Sequence, residues 1–400
     1  MEDALHTLSP ANASSPSSDY PLCPTAATLF FLPSIYTLLF ITALPGNGLS
    51  LWVFLRCIPT ISPTHVYLSH LSISNLLLSI TTPFLAAYYA LGQVWKLSGV
   101  PCQLVLHGIT PVLHINIYIS LMILTWVALS RFAALIKNTH ASRPSAFTTL
   151  LPHCFFSRLT KVSFANAVCV TVWVVSVGGV VPVTVYYSVH EAMSGDHEEG
   201  GREEVCYSPA VELGGSVSGT LSVLVITIFF AVYLLVLLSY MMVLKHIRRS
   251  RRDAHITTSK SLLSRVLRNI VVIQVVLSVC LLPYHIFKPI FISLAHDQLQ
   301  LAPSPGTDTY SGCHPLSIFV ELKNCLFLLA ALRASTDPVM YFILDRTFRH
   351  RTLKLLRCNK SIGEQRQMFW TTKESTNQKV EQLGEENVVT ATAELSQTVL

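Results

Sequence analysis

The sequence predicts an all-α membrane protein: a seven-transmembrane helix bundle followed by a short amphipathic eighth helix. Three observations predict it. Only 12% of the 400 residues are charged, against roughly a quarter in soluble domains. Apolar residues make up 51% of the chain, and the mean hydropathy is +0.50. Charge is absent from whole windows of about 20 residues, the length a helix needs to cross about 30 Å of hydrocarbon.

Seven apolar runs are read as spans, at about 26–55, 66–91, 102–136, 164–187, 218–244, 267–295 and 318–344. Pro45, Pro83, Pro182, Pro283 and Pro338 lie inside them. They are expected to kink helices whose neighbours re-satisfy the backbone. Residues 1–25 are polar and lack the basic and apolar regions of a cleaved signal peptide. The first run is therefore expected to act as its own signal-anchor. The chain divides into an extracellular tail (1–25), the bundle (26–345), an amphipathic juxtamembrane helix (346–358) and a disordered cytoplasmic tail (359–400).

Basic residues orient the spans. Lys245, Arg248, Arg249, Arg251 and Arg252 follow the fifth run, and Arg346, Arg349, Arg351, Lys354 and Arg357 follow the seventh. The other side is acidic, with Glu198, Glu199, Glu203 and Glu204 in one loop. The N-terminus is thus expected outside and the C-terminus in the cytoplasm, in a multi-pass plasma-membrane protein. The net charge of +6 sits beside apolar runs rather than in a stripe, so no nucleic-acid partner is expected. Asn12 opens a glycosylation sequon on the outer side, where sequons have meaning. Cys23, Cys102, Cys206 and Cys313 also fall outside, where disulfides persist. The ten cysteines include no C-x-x-C pair, and no metal or cofactor is expected. Cys358 follows a segment alternating basic residues with Phe348, Leu353 and Leu356, which suits interfacial docking and palmitoylation.

Motifs in these runs resemble those of rhodopsin-like G-protein-coupled receptors. Gly46-Asn47 lies in span one, and "LSHLSISNLLL" in span two places Asn75 where that family has an aspartate. Ser130-Arg131-Phe132 is similar to Asp-Arg-Tyr with the acid lost. Cys280-Leu281-Leu282-Pro283 is similar to Cys-Trp-x-Pro with the tryptophan replaced, and Asp337-Pro338-Val339-Met340-Tyr341 is the aspartate form of Asn-Pro-x-x-Tyr. His285 and Lys288 after Pro283 resemble the purinergic-like branch. The resemblance implies a Cys102–Cys206 bridge and a Cys23–Cys313 bridge. It implies coupling to a heterotrimeric G protein through Arg131, Tyr240 and Tyr341. It also implies a sodium ion between spans two, three and seven.

The departures carry their own expectations. With Asn75 neutral, a sodium ion loses an anionic ligand, although Ser120 still offers a hydroxyl. Arg333 lies one turn before Asp337, so the two share a helix face. Either its guanidinium takes the ion's place and pairs with Asp337, or it points into a polar cavity without a specific partner. Asn75, Ser120, Arg333 and Asp337 are read as an intramembrane polar switch. Without an acid at Ser130, either the off state is weakly held and basal signalling raised, or the receptor has decayed and couples poorly.

Ligand contacts are expected from His114, His285, Lys288, Lys323, Tyr88 and Tyr89. Lysines and histidines favour a phosphate or carboxylate. Against that, Lys288 can snorkel, Glu321 can neutralise a lysine, and the acidic outer loop suits a basic peptide. The polar tail offers phosphorylation sites for arrestin, and Thr398-Val399-Leu400 fits a PDZ-domain ligand. A transporter or channel is the alternative class, but no inverted repeat is visible. An intramembrane enzyme is not expected, since the spans hold no nucleophile–base set.

Overall fold

A computed structural model describes residues 23–93, 109–140, 157–193, 216–252, 268, 271–300 and 313–357. Regular structure among them is helical: α1 (Leu32–Trp52), α2 (Pro63–Ala90), α3 (Thr110–His140), α4 (Val162–Met193), α5 (Ser216–Arg252), α6 (Leu282–Gln300) and α7 (Ser317–Leu344). Wider π-helical stretches, Ala27–Phe31 and Val53–Cys57, extend α1 at both ends. Residues 271–280 are also helical and lead through a turn at Leu281 into α6. The interruption falls beside Pro283, which has no N–H to donate.

Five of the described helices are long and apolar enough to cross a membrane, and α5 adds a shorter apolar stretch, Ser222–Leu238. α7, not among the five, carries Glu321, Lys323, Arg333 and Asp337. Burial runs opposite to that of a water-soluble bundle. On α1, Leu38, Ile41 and Trp52 are more than half exposed, whereas Asn47 and Ser50 are wholly buried. Hydrocarbon welcomes the first set and penalises the second, so the polar side chains turn inward. Hydroxyls with no helix to face bond back into their own, as Thr37 does to the Pro33 carbonyl and Thr171 to that of Ala167.

Helix ends depart from the hydropathy reading for local reasons. α2 starts at Pro63 because Ser62 caps it. The Ser62 hydroxyl accepts from the His65 N–H, and the Ser62 N–H donates to His65 Nδ1, both at 3.3 Å. α5 continues to Arg252, well past residue 244, because a helix does not have to stop where its apolar residues do.

α1 packs on α2 and α7, α3 on α2, α4 and α5, and α6 on α5 and α7. Gly46 permits the α1–α7 approach: a Cβ there would lie 3.1 Å from Pro338 Cγ. Pro338 cannot donate to the Ala334 carbonyl one turn earlier. Asn47 Nδ2 on α1 donates to that carbonyl instead, at 2.8 Å. Thr82 does the same service beside Pro83, its hydroxyl donating to the Ser79 carbonyl at 2.7 Å.

A second unit begins at Asp345. Its residues 346–357 are helical, and Asp345 Oδ1 caps them by accepting from the Phe348 N–H at 3.0 Å.

Candidate functional site

The polar centre of the bundle is built on α7. Arg333 and Asp337 are both wholly buried, and Arg333 Nη1 donates to Asp337 Oδ2 at 2.5 Å. The second guanidinium nitrogen, Nη2, donates across to other helices. Its acceptors are Asn75 Oδ1 on α2 (3.1 Å), Asn116 Oδ1 on α3 (3.1 Å) and Ser120 Oγ on α3 (2.5 Å). Asn75 Nδ2 in turn donates to Asp337 Oδ2 at 2.8 Å and to Asn47 Oδ1 at 3.0 Å. Asn116 Nδ2 donates to Ser74 Oγ at 2.9 Å. One cation and one anion thus cancel inside the apolar bundle, and neutral dipoles from α2 and α3 hold them. Asn75, Ser120, Arg333 and Asp337, chosen from the sequence, all meet here. Asn116 was not among them. Its signal was available: it stands one turn before Ser120, on the same face of an apolar run.

At the end of the bundle where α7 begins, Cys23 and Cys313 form a disulfide. Glu321 Oε1 accepts from the Thr28 N–H (2.9 Å), the Thr28 hydroxyl (2.8 Å) and the Thr25 hydroxyl. Its carboxylate therefore caps the start of the α1 helical run from a neighbouring helix, where the positive end of the helix dipole lies. His314, just before α7, accepts the Leu316 N–H on Nδ1 at 3.1 Å, and burial pushes its imidazole below the ordinary histidine value.

The ligand-contact candidates separate into three groups. Tyr88 and Tyr89 are buried in an aromatic cluster, with Tyr89 stacked on Tyr36 at 5.6 Å between ring centroids. His285 is wholly buried, stacked on Phe229 at 3.6 Å, and donates through Nδ1 to the Leu281 carbonyl at 2.8 Å. Lys288 lies over the Tyr284 ring at 5.6 Å, Lys323 over Phe291 at 5.0 Å, and His114 is half-buried beside Phe327. The lysine ammonium groups thus rest on aromatic faces, which attract cations.

Residues 46–341 match the family described as 7 transmembrane receptor (rhodopsin family). The chain belongs to that family. It is 35% identical to Probable G-protein coupled receptor 82 of Homo sapiens over 86% of this chain and 96% of that protein. The Mus musculus protein of the same name is 36% identical over 83% and 96%. Probable G-protein coupled receptor 34 of Pan troglodytes is 24% identical over 88% and 82%. A rhodopsin-family receptor is a multi-pass helical membrane protein and not an enzyme, so the transporter or channel alternative falls away.

In this rhodopsin-family receptor the Ser130 hydroxyl donates to the Val127 carbonyl at 2.9 Å, within its own helix. Arg131 follows it, half-buried, in the last part of α3. Tyr341 is wholly buried and meets the Phe54 ring edge-on at 5.7 Å; Phe54 also stacks on His65 at 5.9 Å. Tyr240 lies on α5, its side chain outside the described residues. Asn12, Cys102, Cys206 and Cys358 also lie outside the described residues, as do 1–22 and 358–400.

Proposed function

We propose that this chain is a plasma-membrane receptor with seven spans, α1 to α7, that carries an extracellular signal to a heterotrimeric G protein. The N-terminus is extracellular and the C-terminus cytoplasmic. Helix 346–357 lies along the inner membrane surface as an eighth helix, anchored through Cys358. Support for the orientation comes from the basic residues that end α5 and follow α7, and from the Cys23–Cys313 bridge, which suits an oxidising exterior. Arg131 and Tyr240 serve the coupling face, with Tyr341, buried against Phe54, as the switch position behind it; arrestin reads the phosphorylated tail, and a PDZ domain takes Thr398-Val399-Leu400. A Cys102–Cys206 bridge and glycosylation at Asn12 complete the outer side.

Basal signalling is raised. What supports this reading is that Ser130, at the position of the motif's acid, keeps its hydroxyl on the Val127 carbonyl of its own helix. The ligand is an anion, phosphate or carboxylate, drawn by Lys288 and Lys323. The carboxylate of Glu321, two residues before Lys323, accepts from Thr25 and Thr28.

A basal-activity panel across the G-protein classes tests the coupling. At matched surface expression, the wild type should signal above mock cells in at least one class. Arg131→Ala should return that signal to mock, and Ser130→Asp should lower it. Silence from the wild type in every class would instead mark a receptor that has lost coupling.

A further inference from the structure

The family fold implies a sodium ion among spans two, three and seven, and the residues present do not fit one. An ion there would need oxygen ligands from those helices. Asp337 Oδ2, Asn75 Oδ1, Asn116 Oδ1 and Ser120 Oγ each already accept from a nitrogen of Arg333, which leaves Asp337 Oδ1 as the one oxygen of these four side chains without a hydrogen-bond partner, too few to coordinate an ion. All five residues are at least 98% buried, so water cannot supply replacements cheaply. Charge gives the same answer as geometry. Asp337 and Arg333 sum to zero, and an added sodium would leave a net positive charge in a low-dielectric interior. Two unit charges about 4 Å apart repel enough, at an effective dielectric of about 20, to weaken binding by on the order of a thousandfold.

We infer that Arg333 is the resident cation of this site, fixed by sequence where the family pattern calls for an exchangeable ion. The guanidinium ties α7 to α2 and α3 through directional bonds, which a spherical ion cannot do. It also cannot leave, so the polar centre does not respond to sodium concentration. The same oxygens become an open cation site once Arg333 is shortened, because Asp337 is then the uncompensated charge. The inference concerns binding at the centre of the bundle and does not depend on whether the receptor signals.

The test is thermal unfolding of the full chain in nanodiscs, in sodium chloride against choline chloride at equal ionic strength. The wild type should melt within about 1 °C in the two salts. Arg333→Gln should melt lower in choline and recover by several degrees as sodium is titrated in. Arg333→Gln with Asp337→Asn should lose that recovery, because the anion is gone. A sodium-specific rise in the wild type would overturn the inference. So would a folded Arg333→Gln variant that ignores sodium. If Arg333→Gln does not fold, sodium-23 relaxation on the wild type decides alone, with saturable binding refuting the inference and its loss in Asp337→Asn locating the ion. Because none of these readouts is signalling, silence in the basal panel and sodium binding here remain separate failures.

Discussion

A guanidinium inside hydrocarbon is tolerated when an anion and further acceptors surround it. Arg333 meets that condition with four acceptors, and Asp337 meets it with two donors. Removing one partner is therefore worse than removing both. Asp337→Asn leaves the guanidinium uncompensated and should cost about 3–5 kcal/mol, whereas Arg333→Gln with Asp337→Asn should cost less than either single change. Unfolding of the three variants in choline buffer checks this, and simple additivity would contradict it. Much of this centre could be read from the chain, since spacing of four places Arg333 and Asp337 on one face and the neutral Asn75 stands out against its motif. Asn116 escaped notice because a single asparagine in an apolar run carries no motif, and only the packing of α3 on α2 gives it a partner. Tyr88 and Tyr89 illustrate the same limit, because rings facing a cavity and rings stacked on Tyr36 look alike in a sequence.

Helices in this bundle are finished by groups that sequence proximity does not reveal. The α1 run takes its cap from Glu321, nearly three hundred residues later in the chain (a separation of 293 from Thr28). The turn before α7 is finished locally by His314, whose neutral Nδ1 accepts the Leu316 N–H. Burial lowers its affinity for protons relative to the unfolded chain, whose histidine value is about 6.5. Below that value the unfolded form binds the proton more readily, so stability falls as pH falls and is fully present above it. Hydrogen exchange at Leu316, corrected for intrinsic rates, should be faster at pH 5.5 than at pH 7.5. His314→Asn, which keeps an acceptor and does not titrate, should remove the difference. Apolar runs located the helices well because the membrane imposes that pattern directly. They located the ends poorly, since the caps at Ser62 and the polar extension of α5 lie outside hydropathy.

Across the whole bundle, α1 and α7 are joined at both levels described above. The disulfide and Glu321 tie them at one end, and Asn47 and Gly46 meet Pro338's turn in the middle. The glycine at 46 is required by space: an added Cβ would press on Pro338, while at Gly48 it would meet nothing within 4 Å. Gly46→Val should therefore lower the melting temperature by several degrees, consistent with an overpacking cost of about 1–3 kcal/mol, and Gly48→Val should change it little. Equal effects would mean that helix propensity, not the contact, is what matters. The tight seat of Pro338 against Gly46 also limits how α7 can move. A helix bent at a proline, with its freed carbonyl held by Asn47, cannot slide along its neighbour without losing that bond. It can still tilt about the contact. The Ala334 carbonyl thus sets the height of α7 against α1, and sliding of either helix by one turn would leave that acceptor unmet.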